Sequence, residues 1–547
     1  MLSDFTTTIP ENFSGDGTWD DNLVVSTTPQ HALLTLLWIL LGSPFGNTRW
    51  RATHVVRDLL LSSSRDTIEC LCNFLRTNVP KPFTCSRFPF YQKHAILHFL
   101  LALNNVATKQ QKLIARHQTD IANAALSTSN VLFLTYGKQI LSALGSVSNA
   151  QTKRLLTQIS RSLSSPFKYR NERPRQSFYP PAASLKIPSS YHASFMALPM
   201  DIDRYWAEWL ARRFGIDPNS ILYLLEQKLK QAATEGFNVD YHNDPRKDLF
   251  SRYASEDRTL PYKDEYPQND AYCFYIIVHG LMEIAGQLLQ TMPMVRDFGQ
   301  EDPFDTWVKY HTITFDDGSW IADSRGPIPQ AFLKSEKIVD FEKLKTDPHE
   351  ATKLLMAPCD DHDSIPLFSG WTVWNFSQKI SCGIKAFIIP CSKANALAVQ
   401  LNEQHDYYQA IPYYFNDKQE LDGISPRQIV RGLFDKLHKP DSQGRDRADP
   451  FADGLKTLDI QLAPKLQTEI PKSTCTATVW TSAEILSPND RSVTCSGEVF
   501  YVKKSVLFKY LRNHKSKLII QLTAYDSTDR DRSYDDPRNH FVKYLLF

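Results

Sequence analysis

Between residues 162 and 199 the chain carries Pro166, Pro174, Pro180, Pro181 and Pro188 among Ser164, Ser165 and Ser184. No regular helix or strand runs through proline at that density, because each ring removes an amide donor and fixes φ. The 547 residues therefore divide into blocks on either side of a connector, in keeping with the roughly 250–300 residues at which single cores stop growing. The connector and its run-up are basic. Lys153, Arg154, Arg161, Lys168, Arg170, Arg173 and Arg175 stand against one acid, Glu172, with Phe167, Tyr169, Phe178 and Tyr179 interleaved. Cations that neutralise phosphates, mixed with rings that stack on bases, are what a single-strand nucleic-acid binder uses. A solvated linker, or a contact to an acidic protein surface, has the same text.

Before the connector the pattern is helical. From about Pro29 to Arg161 apolar residues recur at three- and four-residue spacing, with short breaks at 42–47, 62–64, 78–82 and 127–129. Helices of that length with short connections are antiparallel neighbours in a bundle or an α-solenoid. The segment 47–60, NTRWRATHVVRDLL, gathers Ala52, Val55, Val56, Leu59 and Leu60 on one face with Arg49, Arg51 and Arg57 around it. It resembles the second helix of a HEAT repeat. If the array is an open solenoid, Arg49, Trp50, Arg51 and Arg57 are candidates for its partner-binding surface, while Trp50 is equally suited to packing between helices.

After the connector the text becomes mixed. Segments 201–214 and 219–233 resume helical spacing, and 271–292 reads as one long, buried helix. Asp317-Gly318 sits between β-branched or apolar residues in 311–321, a hairpin-turn signal. Strands are expected at 370–376, 384–389, 476–481, 497–502 and 517–523, and a solvated loop at 439–453. The fold class that follows is multidomain, α plus α+β. It comprises a polar tail over 1–24, a HEAT-like helical domain over 25–161, a basic Ser/Pro-rich linker over 162–200, and an α+β domain over 201–547 with a division near 391–450.

Lys and Arg total 62 against 60 Asp and Glu, a net charge of +2. No global electrostatic footprint of a nucleic-acid coat is present, so any basic surface is local. The apolar run 32–41 is too short to span a bilayer, and the polar N-terminus does not read as an export signal. Nine cysteines lack the spacing of a disulfide scaffold. The expected setting is a reducing cytoplasm with no membrane association.

The chemistry is bounded mainly by exclusion. No P-loop, Gly-x-Gly-x-x-Gly, His-Glu-x-x-His or Gly-x-Ser-x-Gly string occurs. Cys70-x-Cys72 lies in an apolar helix and reads as two buried thiols, and the string 359–363, Cys-Asp-Asp-His-Asp, reads as a solvated turn rather than a metal site. Neither a metal nor a cofactor is expected, and no catalytic residue is assigned. A divergent hydrolase would have to recruit Asp316, Asp317 or Asp323, near His311 and Arg325.

Several strings, in order, resemble the C-terminal portion of large bacterial NTPases of the STAND/NACHT-like, antiphage-defence type. They are Leu37-Trp38 up to Gly42 followed by Arg49-Trp50-Arg51-Ala52-x-His54; Phe90-Tyr91 before a helix; and 279–293 leading to Trp307. Further on come Trp320-Ile321-Ala322-Asp323-x-Arg325-x-Pro327, Arg447-x-Asp449-Pro450-Phe451-Ala452, the solitary Trp480, and 497–522. The resemblance spans nearly the whole chain from about residue 25. It implies a HEAT-like array followed by an α+β domain that together sense a partner and control oligomerisation, with an effector and a nucleotide-binding switch elsewhere. Those two parts have no counterpart here, so the expectation is a fragment or split subunit. On this reading the chain is a non-catalytic sensor that binds a protein partner or ligand, with an NTPase subunit or a missing N-terminal part as a possible associate. The nucleic-acid-binding and hydrolase readings stand as alternatives.

Overall fold

The computed structural model describes residues 28–62, 65–76, 91–170, 201–234, 266–267, 270–295, 303–315, 318–334, 341–361, 363–375, 378–403, 431–432, 434–438, 459–462, 464–481, 485–486, 492–526 and 540–547. They fall into two compact units that meet in the chain between Trp320 and Ile321. The first is helical. The second is built on an antiparallel sheet, so the fold is helical plus α+β.

In the first unit, α1 (Pro29–Leu41) starts where Thr28 accepts the His31 amide with its side chain and Pro29 takes the first turn. A four-residue turn leads into α2 (Gly46–Ser62), and α3 (Arg65–Asn73) follows. Next come α4 (Gln92–Val106), α5 (Gln118–Leu126), α6 (Val131–Ala143) and α7 (Ala150–Ser162). Asn130 caps α6 through the amides of Leu132 and Phe133, and Asn149 with Thr152 forms a capping box on α7. The last helices are α8 (Glu208–Phe214), α9 (Pro218–Thr234), α10 (Tyr272–Thr291) and α11 (Pro303–His311).

One continuous apolar core runs through this unit from Leu34 to Ile313. Helix α4 is buried on nearly every side, and among the described residues α10 is the one helix long and apolar enough to cross a membrane, yet 89% of its 18-residue apolar window is buried. Gly286 explains how α10 comes so close: a Cβ there would sit 1.9 Å from the Ser129 carbonyl oxygen. The described residues of 201–320 therefore pack with the N-terminal helices, whereas the sequence reading had assigned them to the α+β domain. The turn around Gly318 belongs here too. Phe315 and Ser319 pair across it, Asn105 donates to the Gly318 carbonyl, and Trp320 is fully buried against Trp50 and His54.

The second unit contains β1 (Ser364–Asn375), β2 (Gln378–Pro390), β3 (Cys475–Thr481), β4 (Ser492–Lys503), β5 (Ser516–Asp526) and β6 (His540–Leu546). Their order across the sheet is β6-β5-β2-β1-β4-β3, every pair antiparallel. Four of the five segments expected as strands lie within longer strands of it, and the fifth, 370–376, lies in β1 as far as Asn375, with residue 376 outside the described residues. Side chains alternate faces along β5: Leu518, Ile520, Leu522 and Ala524 join the main core, while Ile519 joins Ile389, Ala394 and Tyr544 on the other side. A helix, Lys504–Asn513, packs Leu507 and Leu511 on the main core, and another, Cys391–Glu403, places Ala394 and Ala398 on the opposite face. Gly497 stands in register between Trp371 and Trp480, where a Cβ would lie 2.4 Å from one indole and 2.5 Å from the other residue's Cβ. Its missing side chain lets both rings gather around Phe332, at centroid distances of 4.7 and 5.9 Å.

Candidate functional site

Among the described residues, a dense gathering of chemically capable side chains lies inside the helical unit. Asp270, 2% exposed, precedes α10; its amide donates to the Pro44 carbonyl and its own carbonyl accepts from the Tyr91 hydroxyl. Its Oδ2 accepts from Arg49 Nη1 at 3.1 Å and from His94 Nε2 at 2.7 Å. Arg49 also donates from Nη1 to the Ser43 carbonyl and from Nε to His98 Nε2 at 3.1 Å. Beyond His98, its Nδ1 lies 3.0 Å from Thr53 Oγ1, and beyond His94, its Nδ1 lies 2.9 Å from His279 Nε2. His279 Nδ1 ends the run 3.3 Å from Asn130 Nδ2.

Two groups at the ends set every tautomer between them. Asn130 spends its oxygen on the α6 amides, so its NH2 points at His279 and Nδ1 must accept. His279 then donates from Nε2 to His94 Nδ1, and His94 donates from Nε2 to the carboxylate. On the other branch Arg49 can only donate, so His98 Nε2 accepts and its Nδ1–H reaches Thr53, whose hydroxyl donates to the Arg49 carbonyl. All three imidazoles are thus neutral. Burial, followed by the nearby Arg49 charge or a neighbouring imidazole, holds His94, His98 and His279 well below the usual histidine range. Burial pushes Asp270 up to about 6, against the opposing pull of Arg49. At neutral pH it is a carboxylate paired with a guanidinium.

Nearby, Glu283 on α10 accepts from both Lys93 and Lys228. Burial would raise its pKa, but the two ammonium groups, Lys93 foremost, win and hold it below the ordinary range. Tyr91, Tyr272 and Tyr275 stack beside the network, 4.6–5.7 Å apart. The hydrogen bonds of this assembly tie α2, α4, α10 and the cap of α6 to one another. Each imidazole nitrogen is engaged in a hydrogen bond, and together these bonds hold the helices in one register.

The residues proposed for a partner surface separate here. Arg49 is 6% and Trp50 1% exposed; both are core residues, Trp50 packing edge-on to His98 at 4.9 Å and to Trp320 at 6.3 Å. They cannot contact a partner, because the α2 face that carries them turns toward α4 and not toward solvent. Arg51, one position on, is exposed. Arg57 is half-buried, hydrogen-bonded to Asp58 with its guanidinium 5.0 Å from the Trp320 ring centroid.

Of the basic run, Lys153, Arg154, Arg161 and Lys168 are exposed. Arg170 is not a free cation: its Nη2 donates to the Phe214 carbonyl at 2.6 Å and its amide to Met294. Residues 162–170 are accordingly docked on the helical unit instead of forming a loose arm. Arg173 and Arg175, with most of the expected linker, lie outside the described residues, as do the tail over 1–24, the loop 439–453, and Asp316 and Asp317.

Asp323 is exposed in a short turn, Ile321–Ser324, and Arg325 donates to the Thr481 carbonyl. His311 is buried between Trp206 and Trp307. Among the described residues no three His, Cys, Asp or Glu side chains form a metal-holding group. In the 359–363 string, Asp360 accepts from the Gln330 amide, Asp361 accepts from Asp363 and Ser364, and burial raises the Cys359 thiol. His362 lies outside the described residues.

Reasoning from sequence missed the network's members His98, Asp270 and Asn130, and gave His94 and His279 no role. The available signal was imidazole at i and i+4 in an otherwise apolar helix, His94 and His98, matched by His279 in a second one. In comparisons with known proteins, no family model matches this sequence, and no curated protein matches it.

Proposed function

We propose that the chain is a non-catalytic recognition and regulatory module that binds a protein partner through its helical unit. The observation that supports this most is the two-sided apolar character of α1. Leu34, Leu37, Trp38 and Leu41 are buried in the core, while Leu33 and Leu36 are 53% and 49% exposed. A helix that is apolar all round is ordinarily covered on every side, and an exposed apolar stripe marks a contact surface. This surface takes the place of Arg49 and Trp50 in the sensor reading.

The finer parts of the reading belong to the same proposal: a HEAT-like array, and descent from the sensing end of a STAND-type defence NTPase whose nucleotide-binding part is another chain. Successive helices joined by short turns, α1 to α2, α5 to α6 and α6 to α7, support the array. The eight described cysteines are all free thiols, which fits a cytoplasmic setting.

The test is co-purification with a P-loop NTPase encoded beside this chain, read by sedimentation and by ATP turnover. The expected result is a complex with altered turnover that Leu33→Glu/Leu36→Glu abolishes while the melting profile is kept. A complex indifferent to that double variant, or nucleotide hydrolysis by this chain alone, overturns the proposal.

A further inference from the structure

The exposed cations on α7 and the docked segment that follows it form a second surface of different chemistry. Lys153, Arg154 and Arg161 lie on the solvent side of α7, opposite the buried Thr152 and Ile159. They span about 12 Å of helix at 1.5 Å per residue. Immediately after it Phe167, Lys168 and Tyr169 are exposed, the two rings at 43% and 37%. No acidic residue occurs from 150 to 170. Among the described residues, none of these four cations forms an ion pair.

The ring-bearing segment is held at both ends. Gln290 Nε2 on α10 reaches three carbonyls, those of Arg161, Ser162 and Ser164, at 3.2, 2.9 and 3.0 Å. Ser164 Oγ donates to the Ser160 carbonyl, and the Phe167 amide to Ser165 Oγ. On the far side Arg170 donates to the carbonyls of Met294 and Phe214. Two solvent-facing rings are thereby presented on a backbone that is already ordered, so little ordering entropy is lost when something stacks on them.

We propose that this surface binds single-stranded nucleic acid. The α7 cations neutralise successive phosphates, and Phe167 and Tyr169 stack on unpaired bases. The rings decide between ligands. An acidic protein segment would use the cations alone, and a duplex keeps its base faces stacked on each other. The proposal is separate from the protein-recognition reading and does not use α1.

The test is fluorescence anisotropy of a labelled oligothymidylate about 20 nucleotides long, titrated with the full chain at several salt concentrations. Four phosphate contacts on a single strand predict a slope of log K against log salt near −3. Replacing Lys153, Arg154, Arg161 and Lys168 by Gln should remove binding. Phe167→Ala/Tyr169→Ala should weaken it by about 30-fold or more with the slope unchanged. Circular dichroism and melting of each variant should match the parent. No binding by the parent overturns the proposal. So does binding that persists without the four cations, or duplex, heparin and polyglutamate bound as tightly as the single strand with the ring variant unaffected.

Discussion

Arg49 and Asp270 meet at 3.1 Å, the guanidinium and carboxylate both almost completely shielded from water. A buried pair is poor evidence of net stabilisation, since each charge has lost its hydration, but removing one partner strands the other. Asp270→Asn should therefore destabilise the helical unit by about 3–5 kcal/mol, and Arg49→Met comparably. Arg49→Met/Asp270→Asn should cost much less than the two single changes added. Urea denaturation followed by tryptophan fluorescence measures the cycle; strict additivity would show that the pair does not act as a unit. Arg51→Ala, next to Arg49 but exposed, should change stability by no more than about 0.5 kcal/mol.

Acid should unfold the helical unit through the same network. The folded-state pKa values of His94, His98 and His279 are depressed. As pH falls through the ordinary histidine value of 6.5, the unfolded chain takes up protons that the folded chain refuses, and stability is lost. Asp270 runs the other way. Its folded value of about 6 exceeds the ordinary 3.8, so between these values the folded state binds the extra proton and recovers one of the three. With three depressed histidines against one raised carboxylate, the network should lose stability as the pH falls below the ordinary histidine value. Denaturation series between pH 7.5 and 5 test it, and His279→Asn should flatten the slope by about one proton. A pH-independent midpoint would contradict the neutral-imidazole assignment.

Asn130 holds two jobs that substitution can separate. Asn130→Asp keeps an N-cap acceptor for Leu132 and Phe133 but deletes the NH2 that faces His279 Nδ1. The carboxylate beside His279 should favour protonation of that ring. The variant is expected to be destabilised by about 1–3 kcal/mol at pH 7.5 and to converge on the parent as the pH drops. Nitrogen shifts of the His279 imidazole provide the readout; unchanged shifts would refute the directional chain.

Close packing of α10 against the turn before α6 predicts a sharp contrast between two glycines. At Gly286 a methyl group would meet the Ser129 carbonyl oxygen at 1.9 Å, whereas at Gly145 it would meet nothing within 4 Å. Gly286→Ala should cost about 1–3 kcal/mol or more, and Gly145→Ala should be neutral or stabilising by up to about 1 kcal/mol. Thermal melts of the two variants, expected to move in opposite directions or only for Gly286, decide it.

Much of the scaffold was legible residue by residue. Three- and four-residue spacing in 92–106 and 131–143 placed α4 and α6, and apolar or β-branched runs placed the strands around Trp371, Ile384, Trp480, Val499 and Ile520, because period and propensity are local properties. The unit boundary was misplaced for a related reason. The helices of 201–234 carry the same local text whether they pack forward on a sheet or back on α10, and the Gly318 turn reads as a hairpin in either setting.

What the sequence by itself determined was the kind of each element, the break near residue 162, the absence of the common enzyme strings, and a local concentration of cations before Arg170. Tertiary structure alone decided what those residues do. It turned Arg49 and Trp50 inward while leaving Arg51 in solvent, left the outer apolar stripe of α1 exposed, and anchored the segment carrying Phe167 and Tyr169 through Gln290. It also brought His94, Asp270 and His279 within hydrogen-bonding distance from far-separated positions in the chain. The physical reason is that helical and strand periodicities are set by neighbours in sequence, whereas desolvation and charge pairing depend on which faces are covered, and that is known only once distant segments share a core.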